Sequence, residues 1–275
     1  MKELFTKVNG INICYTVNGE GEPLFLVHGY GGRKEDWIPQ IKTLKKYYKT
    51  ICFDNRCSGK SQHPNELITM KMFAKDLYEL MKSLNINKAN VAGRSLGGMI
   101  VQQFIIDYPE RVDKAILINT NYSGEMGEII TATTVESATK EIKDPERAFW
   151  DNAMLLYHSK FRRELKKNPD KKFYNLFTLQ DLIKKLEENN ASKEDLINQG
   201  HAFKNFNSLS QLEHIQNQVL LIGASHDRIL PNSQMYEMND VIPNSTFRLI
   251  KKAGHGSPLS RAPEINDIII EFLNS

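Results

Sequence analysis

Ser95 stands between two glycines, in Gly93-Arg94-Ser95-Leu96-Gly97, directly after a short apolar run and directly before an amphipathic one. A serine hydroxyl is a poor nucleophile until a base takes its proton, and that base must be oriented by a carboxylate. His255, in the stretch KKAGHGSP, and Asp227, in GASHDRILP, are the residues that can serve Ser95 in this way. Together they would perform acyl transfer, with attack on a carbonyl carbon and a proton passed through the imidazole. Three residues so far apart in sequence can act together only if the fold gathers them on one edge.

The order of elements supplies such an edge. Residues 4–8 and 11–17 read as two strands joined by Asn9-Gly10, a strong hairpin signal. PLFLVHG, KTICFD, KANVAG and KAILIN are short apolar runs of the buried, parallel-sheet kind, and residues 70–84 and 96–108 have helical spacing between the later ones. Alternation of strand and helix defines an α/β fold. From residue 125 to 206 the pattern changes to charged, helical text with scattered aromatics and no strand-like run. Strand and helix then resume with QVLLIGA, residues 233–239, TFRLI and PEINDIIIEFL. The chain therefore divides into an α/β core, residues 1–122 and 208–275, and a helical insertion, residues 123–207.

In this setting Ser95 falls on a sharp strand-to-helix turn. Such a turn forces a positive φ on the serine and needs flanking glycines, because a Cβ there would strike the neighbouring strand or helix. Leu96 starts the helix, so its backbone N–H is unpaired and points, with the helix dipole, toward an oxyanion formed at Ser95. Among the seven histidines, His255 follows the last strand and His28 the strand at 23–27. Loops at the C-terminal edge of a parallel sheet share one rim, so His255 can meet Ser95 there. Asp227 lies in the loop just after the strand read at residues 218–222, on that same rim.

Length and composition bound the rest. A chain of 275 residues, 40% hydrophobic and 25% charged, can bury a large core as one elaborated domain. The net charge of +3, from 36 basic and 33 acidic residues, gives no ground for a nucleic-acid partner. The basic run at residues 160–172 reads as a solvated helix face, broken at Asn168-Pro169, or as a surface that steers an anionic partner. Cys14, Cys52 and Cys57 form no CxxC pair and are odd in number, which points to small buried residues in a reducing cytoplasm. The N-terminal residues lack the apolar core of a signal peptide, and no apolar run reaches membrane-spanning length. There is no GxGxxG, HExxH or paired CxxC, so no cofactor and no metal are expected.

The sequence resembles an α/β-hydrolase of the meta-cleavage C–C hydrolase, enol-lactonase, esterase and cofactor-free haloperoxidase group. The resemblance rests on His28-Gly29-Tyr30-Gly31-Gly32, Asp54-x-Arg56-x-x-Gly59-x-Ser61, the Ser95 turn with Gly98 following, YPERV, Gly223-x-x-x-Asp227-x-x-x-Pro231 and Gly254-His255. Chain order agrees, with Ser95 first, then Asp227, then His255. It implies an α/β-hydrolase fold: a mostly parallel central sheet opened by the N-terminal hairpin, with the insertion as a cap over the site. It also implies that the Tyr30 amide is the second oxyanion donor beside Leu96, and that His28 is a buried structural residue. Some members carry the acid after the sixth strand, where this chain reads Asn119-Thr120-Asn121, which favours Asp227. The family often has glycine where Cys57 stands, and Cys57 reads as a packing residue or a reactive thiol. Gly256-Ser257 replaces the aromatic common in C–C hydrolases.

Asp54 and Arg56 read as a brace between loops or as binders of a substrate carboxylate. Arg94 reads as an ion pair behind the turn or as an orienter of a substrate acid group. Phe149, Trp150, Tyr157, Phe173, Tyr174, Phe177, Phe203 and Phe206 are the insertion's aromatics, most expected to pack the cap and two or three to line a pocket. The expectation is a cytoplasmic serine hydrolase of carboxylesterase type acting on a small, largely apolar acyl compound. A C–C hydrolase, enol-lactonase or perhydrolase would use the same triad, and a slow-turnover ligand receptor would keep the triad and pocket with little chemistry.

Overall fold

Asn9 and Gly10 both take positive φ, 44° and 84°, the pairing that a two-residue hairpin turn of matched twist requires. The computed structural model, which describes residues 2–139, 143–187 and 191–275, accordingly opens with strands β1 (Leu4–Val8) and β2 (Ile11–Asn18), paired antiparallel. Then follow β3 (Pro23–Val27), helix α1 (Ile38–Leu44), β4 (Lys49–Phe53), α2 (Met70–Ser83), β5 (Ala89–Arg94), α3 (Leu96–Asp107) and β6 (Val112–Ile118). The insertion carries α4 (Gly127–Thr139), α5 (Pro145–Leu156), α6 (Ser159–Lys167), α7 (Leu179–Glu187) and α8 (Lys193–Gly200). The chain returns through α9 (Leu209–Leu212), β7 (Gln218–Ala224), α10 (Ser233–Val241), β8 (Ser245–Ile250), α11 (Ser257–Ser260) and α12 (Ala262–Leu273).

The eight strands form one sheet in the order β1-β2-β4-β3-β5-β6-β7-β8. Strand β2 meets β4 antiparallel, and every pairing from β4 to β8 is parallel. The inner strands β3 to β7 are covered on both faces, which is why they read as nearly unbroken apolar runs. Side chains alternate between the faces. Phe25, Val27 and Val91 pack into the cluster under α2 and α3, whereas Leu24, Leu26 and Ala92 pack with Trp37, Ile41 and Ile265 toward α1 and α12. The insertion has its own nucleus of Phe149, Phe161, Leu165, Phe173, Phe177, Leu179, Leu182 and Ile183. Phe203 and Phe206, grouped by sequence with the cap aromatics, lie instead in the main core cluster. The chain closes there with an antiparallel bridge between Ser123 and Asn207, which brings these rings down onto the core.

Among the described residues no helix is long and apolar enough to cross a membrane, and no cluster of His, Cys, Asp and Glu could hold a metal. The three cysteines are unpaired and buried. Burial pushes the Cys57 thiol to about 12, so it sits as a packed thiol rather than a reactive one. Its φ is 58°, a left-handed conformation that explains glycine at this position in the sequences it resembles.

Candidate active site

β5 runs two residues past Ala92, where its apolar pattern ends, through Gly93 and Arg94 and directly into α3. Between the two elements Ser95 takes φ 53° and ψ −126°, a strained conformation for a residue with a side chain. The turn is held by the Ser95 amide donating to the Ile118 carbonyl (3.0 Å) and by the Thr120 hydroxyl donating to the Ser95 carbonyl (2.8 Å). The glycines are required by contact, as expected. A Cβ on Gly93 would lie 2.7 Å from the Gly98 nitrogen, and one on Gly97 2.6 Å from the His28 carbonyl oxygen. Ser95 does not cap α3 with its side chain. Among the described residues its Oγ has no hydrogen-bond partner, His255 included, so the hydroxyl is presented, half-buried, above the sheet edge.

His255 and Asp227 are brought together on neighbouring loops of the same edge. His255 Nδ1 lies 2.8 Å from Asp227 Oδ2, with both side chains almost fully buried. The other carboxylate oxygen accepts from the amides of Ile229 (2.9 Å) and Leu230 (2.8 Å), which fix its plane. This arrangement places a proton on Nδ1 and leaves Nε2 as the basic nitrogen. Asn119, which the sequence marked only as a missing carboxylate, holds the histidine loop. Its Nδ2 donates to the His255 carbonyl (2.9 Å) and to Ser257 Oγ (2.7 Å).

The loop after β3 passes directly over the serine. A Cβ on Gly29 would lie 3.2 Å from Ser95 Cβ and 3.7 Å from its Oγ. The next amide, that of Tyr30, and the Leu96 amide both lack a hydrogen-bond partner among the described residues. They are free donors on the residues that follow Gly29 and Ser95. His28 is fully buried beneath this loop. Its Nε2 accepts from the Asn55 amide (2.9 Å) and its Nδ1 meets the Gly29 carbonyl (2.8 Å). Burial pushes its pKa down, so it is a neutral brace that shapes the loop. The cap fastens the same loop, since the Tyr30 hydroxyl donates to the Leu196 carbonyl (2.7 Å) and Gln199 Oε1 accepts from the Gly31 amide (3.3 Å). Gln199 carried no signal in the sequence.

Asp54 and Arg56 are braces, though not with each other. Asp54 binds Lys34 Nζ (2.8 Å) and the Lys34 amide (2.7 Å), and Arg56 forks onto Asp76 with two 2.6 Å bonds. Arg94 lies 3.9 Å from Asp36. Tyr157, at the end of α5, sets its ring on Gly256 beside His255, and the Gly256 amide donates to the Leu156 carbonyl (2.8 Å). The basic run of α6 is exposed at Lys160, Arg163, Lys166 and Lys167, and the helix stops at Asn168, before the proline.

A strand-to-helix serine turn on a parallel sheet edge, with an imidazole and carboxylate paired on the next loops, is the architecture of an α/β hydrolase. The family model described as alpha/beta hydrolase fold matches residues 22–262, and the chain belongs to that family. The chain is 27% identical over 280 residues to a Mycobacterium tuberculosis protein provisionally named non-heme bromoperoxidase BpoC, covering 96% of this chain and 98% of that one. Its fold is similar to that of an enol-lactonase from Burkholderia xenovorans (TM-score 0.82, 21% identity, 99% of this chain and 100% of that one). It is also similar to a thermophilic esterase from Thermogutta terrifontis (TM-score 0.83, 22% identity, 100% of this chain and 98% of that one).

Proposed function

We propose that the protein is a serine hydrolase of carboxylic ester type, acting on a small acyl compound with a largely apolar body. Ser95 Oγ attacks the carbonyl carbon while His255 Nε2 takes its proton, and the Tyr30 and Leu96 amides hold the oxyanion of the tetrahedral intermediate. The imidazolium, steadied by Asp227, returns the proton to the leaving alcohol as the carbon–oxygen bond breaks. Water, deprotonated by the same imidazole, then releases the acyl group and restores the serine. The chemistry as proposed uses no cofactor. Residues 123–207 form the cap in this reading, and the unpaired, buried thiols favour a reducing cytoplasm.

The observation that carries the reading is Ser95 itself. It is held at φ 53° with an unengaged hydroxyl, with free amides on the residues that follow it and Gly29, and on the rim where His255 and Asp227 pair at 2.8 Å. The proteins of similar fold that bear the names enol-lactonase and esterase are in keeping with this reading. The test is intact-mass analysis after exposure to a fluorophosphonate. Wild type should gain one phosphonyl group and Ser95→Ala none. Equal labelling of both proteins would remove Ser95 from the mechanism.

A further inference from the structure

We propose that the acyl compound carries a carboxylate, bound by the Arg94 guanidinium and the Tyr157 hydroxyl beside the nucleophile. The proposal rests on the serine-hydrolase reading and deepens it. Arg94 is the last residue of β5 and adjoins Ser95, and its side chain is only 21% exposed. A guanidinium that deep ordinarily has its five donors engaged. Here, among the described residues, it makes no hydrogen bond, and its one ionic contact is Asp36 Oδ2 at 3.9 Å.

Asp36 does not need Arg94. Its Oδ1 is taken by Lys185 Nζ of the cap at 2.7 Å, and its Oδ2 accepts from the Arg33 amide at 3.3 Å. His28, a second titratable group within the field of Arg94, is kept neutral by burial. Two cations therefore face one anion, and a positive charge is left over next to the serine. An ion pair behind the turn does not account for that remainder.

Tyr157 supplies the second donor. Its ring lies on Gly256 and edge-on to Phe161, which fixes where the hydroxyl points. That hydroxyl has no hydrogen-bond partner among the described residues. Burial pushes its pKa to about 12, so it keeps its proton, and the field of Arg94 reaches it. One donor adjoins Ser95 and the other rests on the residue after His255. A carboxylate satisfies both at once, as charge-assisted hydrogen bonds to a guanidinium and a phenol.

The experiment compares p-nitrophenyl half-esters of succinic, glutaric and adipic acids with the corresponding methyl p-nitrophenyl diesters, in which a methyl group replaces the charge at the far end. For the chain length that fits, wild type should favour the half-ester in kcat/KM by about ten- to a hundredfold, the worth of a hydrogen-bonded charge. Arg94→Gln should bring that ratio close to one, chiefly through KM. Tyr157→Phe should lower it by a smaller factor, and Arg94→Lys should retain part of it. A wild-type ratio of one or below at every length would overturn the proposal. So would an Arg94→Gln variant that loses rate on both series in step, the signature of a structural arginine. If Arg94→Gln does not fold, Arg94→Lys and Tyr157→Phe give the same readout. Calorimetric binding of monomethyl glutarate to Ser95→Ala, with and without Tyr157→Phe, needs no turnover. It therefore separates failure of carboxylate recognition from failure of the hydrolase reading. Binding indifferent to Tyr157 and to the charge of the ligand would overturn the carboxylate site even if Ser95 labels.

Discussion

At the scale of single residues, Asp227 shows how much of the site follows from placement. Its carboxylate is fastened by two amides on one oxygen and given to His255 Nδ1 on the other, so it cannot swing away. Its proposed work is to fix the imidazole tautomer and to steady the imidazolium, and an amide of the same shape would impose the wrong tautomer. Asp227→Asn should therefore lower kcat by about three to four orders of magnitude with the fold intact, measured on any ester that wild type turns over. Activity within tenfold of wild type would move the orienting acid elsewhere. Ser95, His255 and Asp227 were legible as candidates because glycines and strand ends surround them in the sequence. Asn119, Thr120 and Gln199 were not. Each acts through a hydrogen bond to a residue or loop remote in sequence, from a position with no periodicity or motif to mark it.

At the scale of elements, the buried parallel strand β3 coincides with its apolar run at 23–27, because a strand covered on both faces has no polar positions to blur its ends, whereas β7 outlasts the expected 218–222 because Gly223 and Ala224 still pair with Leu249 and Ile250. Strand β5 outlasts its apolar run because Gly93 and Arg94 still pair with Leu117 and Ile118 in the ladder. The docking of cap on core was invisible by comparison, since it rests on scattered polar contacts such as Lys185 of α7 on Asp36 at 2.7 Å. Burial alone would push the Asp36 carboxyl up, but Lys185 and then Arg94 outweigh it and hold it well below the usual range. A carboxylate lowered on folding stabilises the folded state fully above its unfolded pKa, and loses that contribution as the pH falls toward the folded value. Lys185→Met should therefore be less stable than wild type near about pH 7, by no more than about 1 kcal/mol because the lysine is partly exposed. The gap in Tm should stay constant down to about pH 4 and begin to narrow only below it, where the unfolded chain takes up a proton that Asp36 of the folded wild type still lacks. A gap that is constant or widens below that pH would show that Lys185 acts through packing and not through charge.

At the scale of the whole molecule, the groups proposed for bond making and breaking all lie on loops of the α/β core, and the insertion enters only after the serine is in place. Among the described residues the insertion reaches the loops around the site through α8 on the Tyr30 loop, the end of α5 on the histidine loop and Lys185 of α7 on Asp36. Most of its aromatics are committed elsewhere. Phe149, Phe161, Phe173 and Phe177 form the nucleus of the cap, and Phe203 and Phe206 belong to the main core. Met154 and Leu155 stand exposed on α5 just before its carbonyl anchor on Gly256, and they are the aliphatic surface proposed to grip an acyl chain. Each methylene buried against such surface is worth about 0.8 kcal/mol, roughly fourfold in kcat/KM. The expected profile along a graded series of p-nitrophenyl esters is thus a rise with chain length to an optimum, then a fall. Met154→Ala and Leu155→Ala should move that optimum while leaving the rate of fluorophosphonate labelling at Ser95 within a few-fold of wild type. Phe161→Ala and Phe173→Ala should instead destabilise the cap by about 3–5 kcal/mol, seen as a lowered melting transition. An optimum that stays in place in both α5 variants would take α5 out of substrate selection, and loss of labelling from any single cap substitution would put catalytic machinery in the cap.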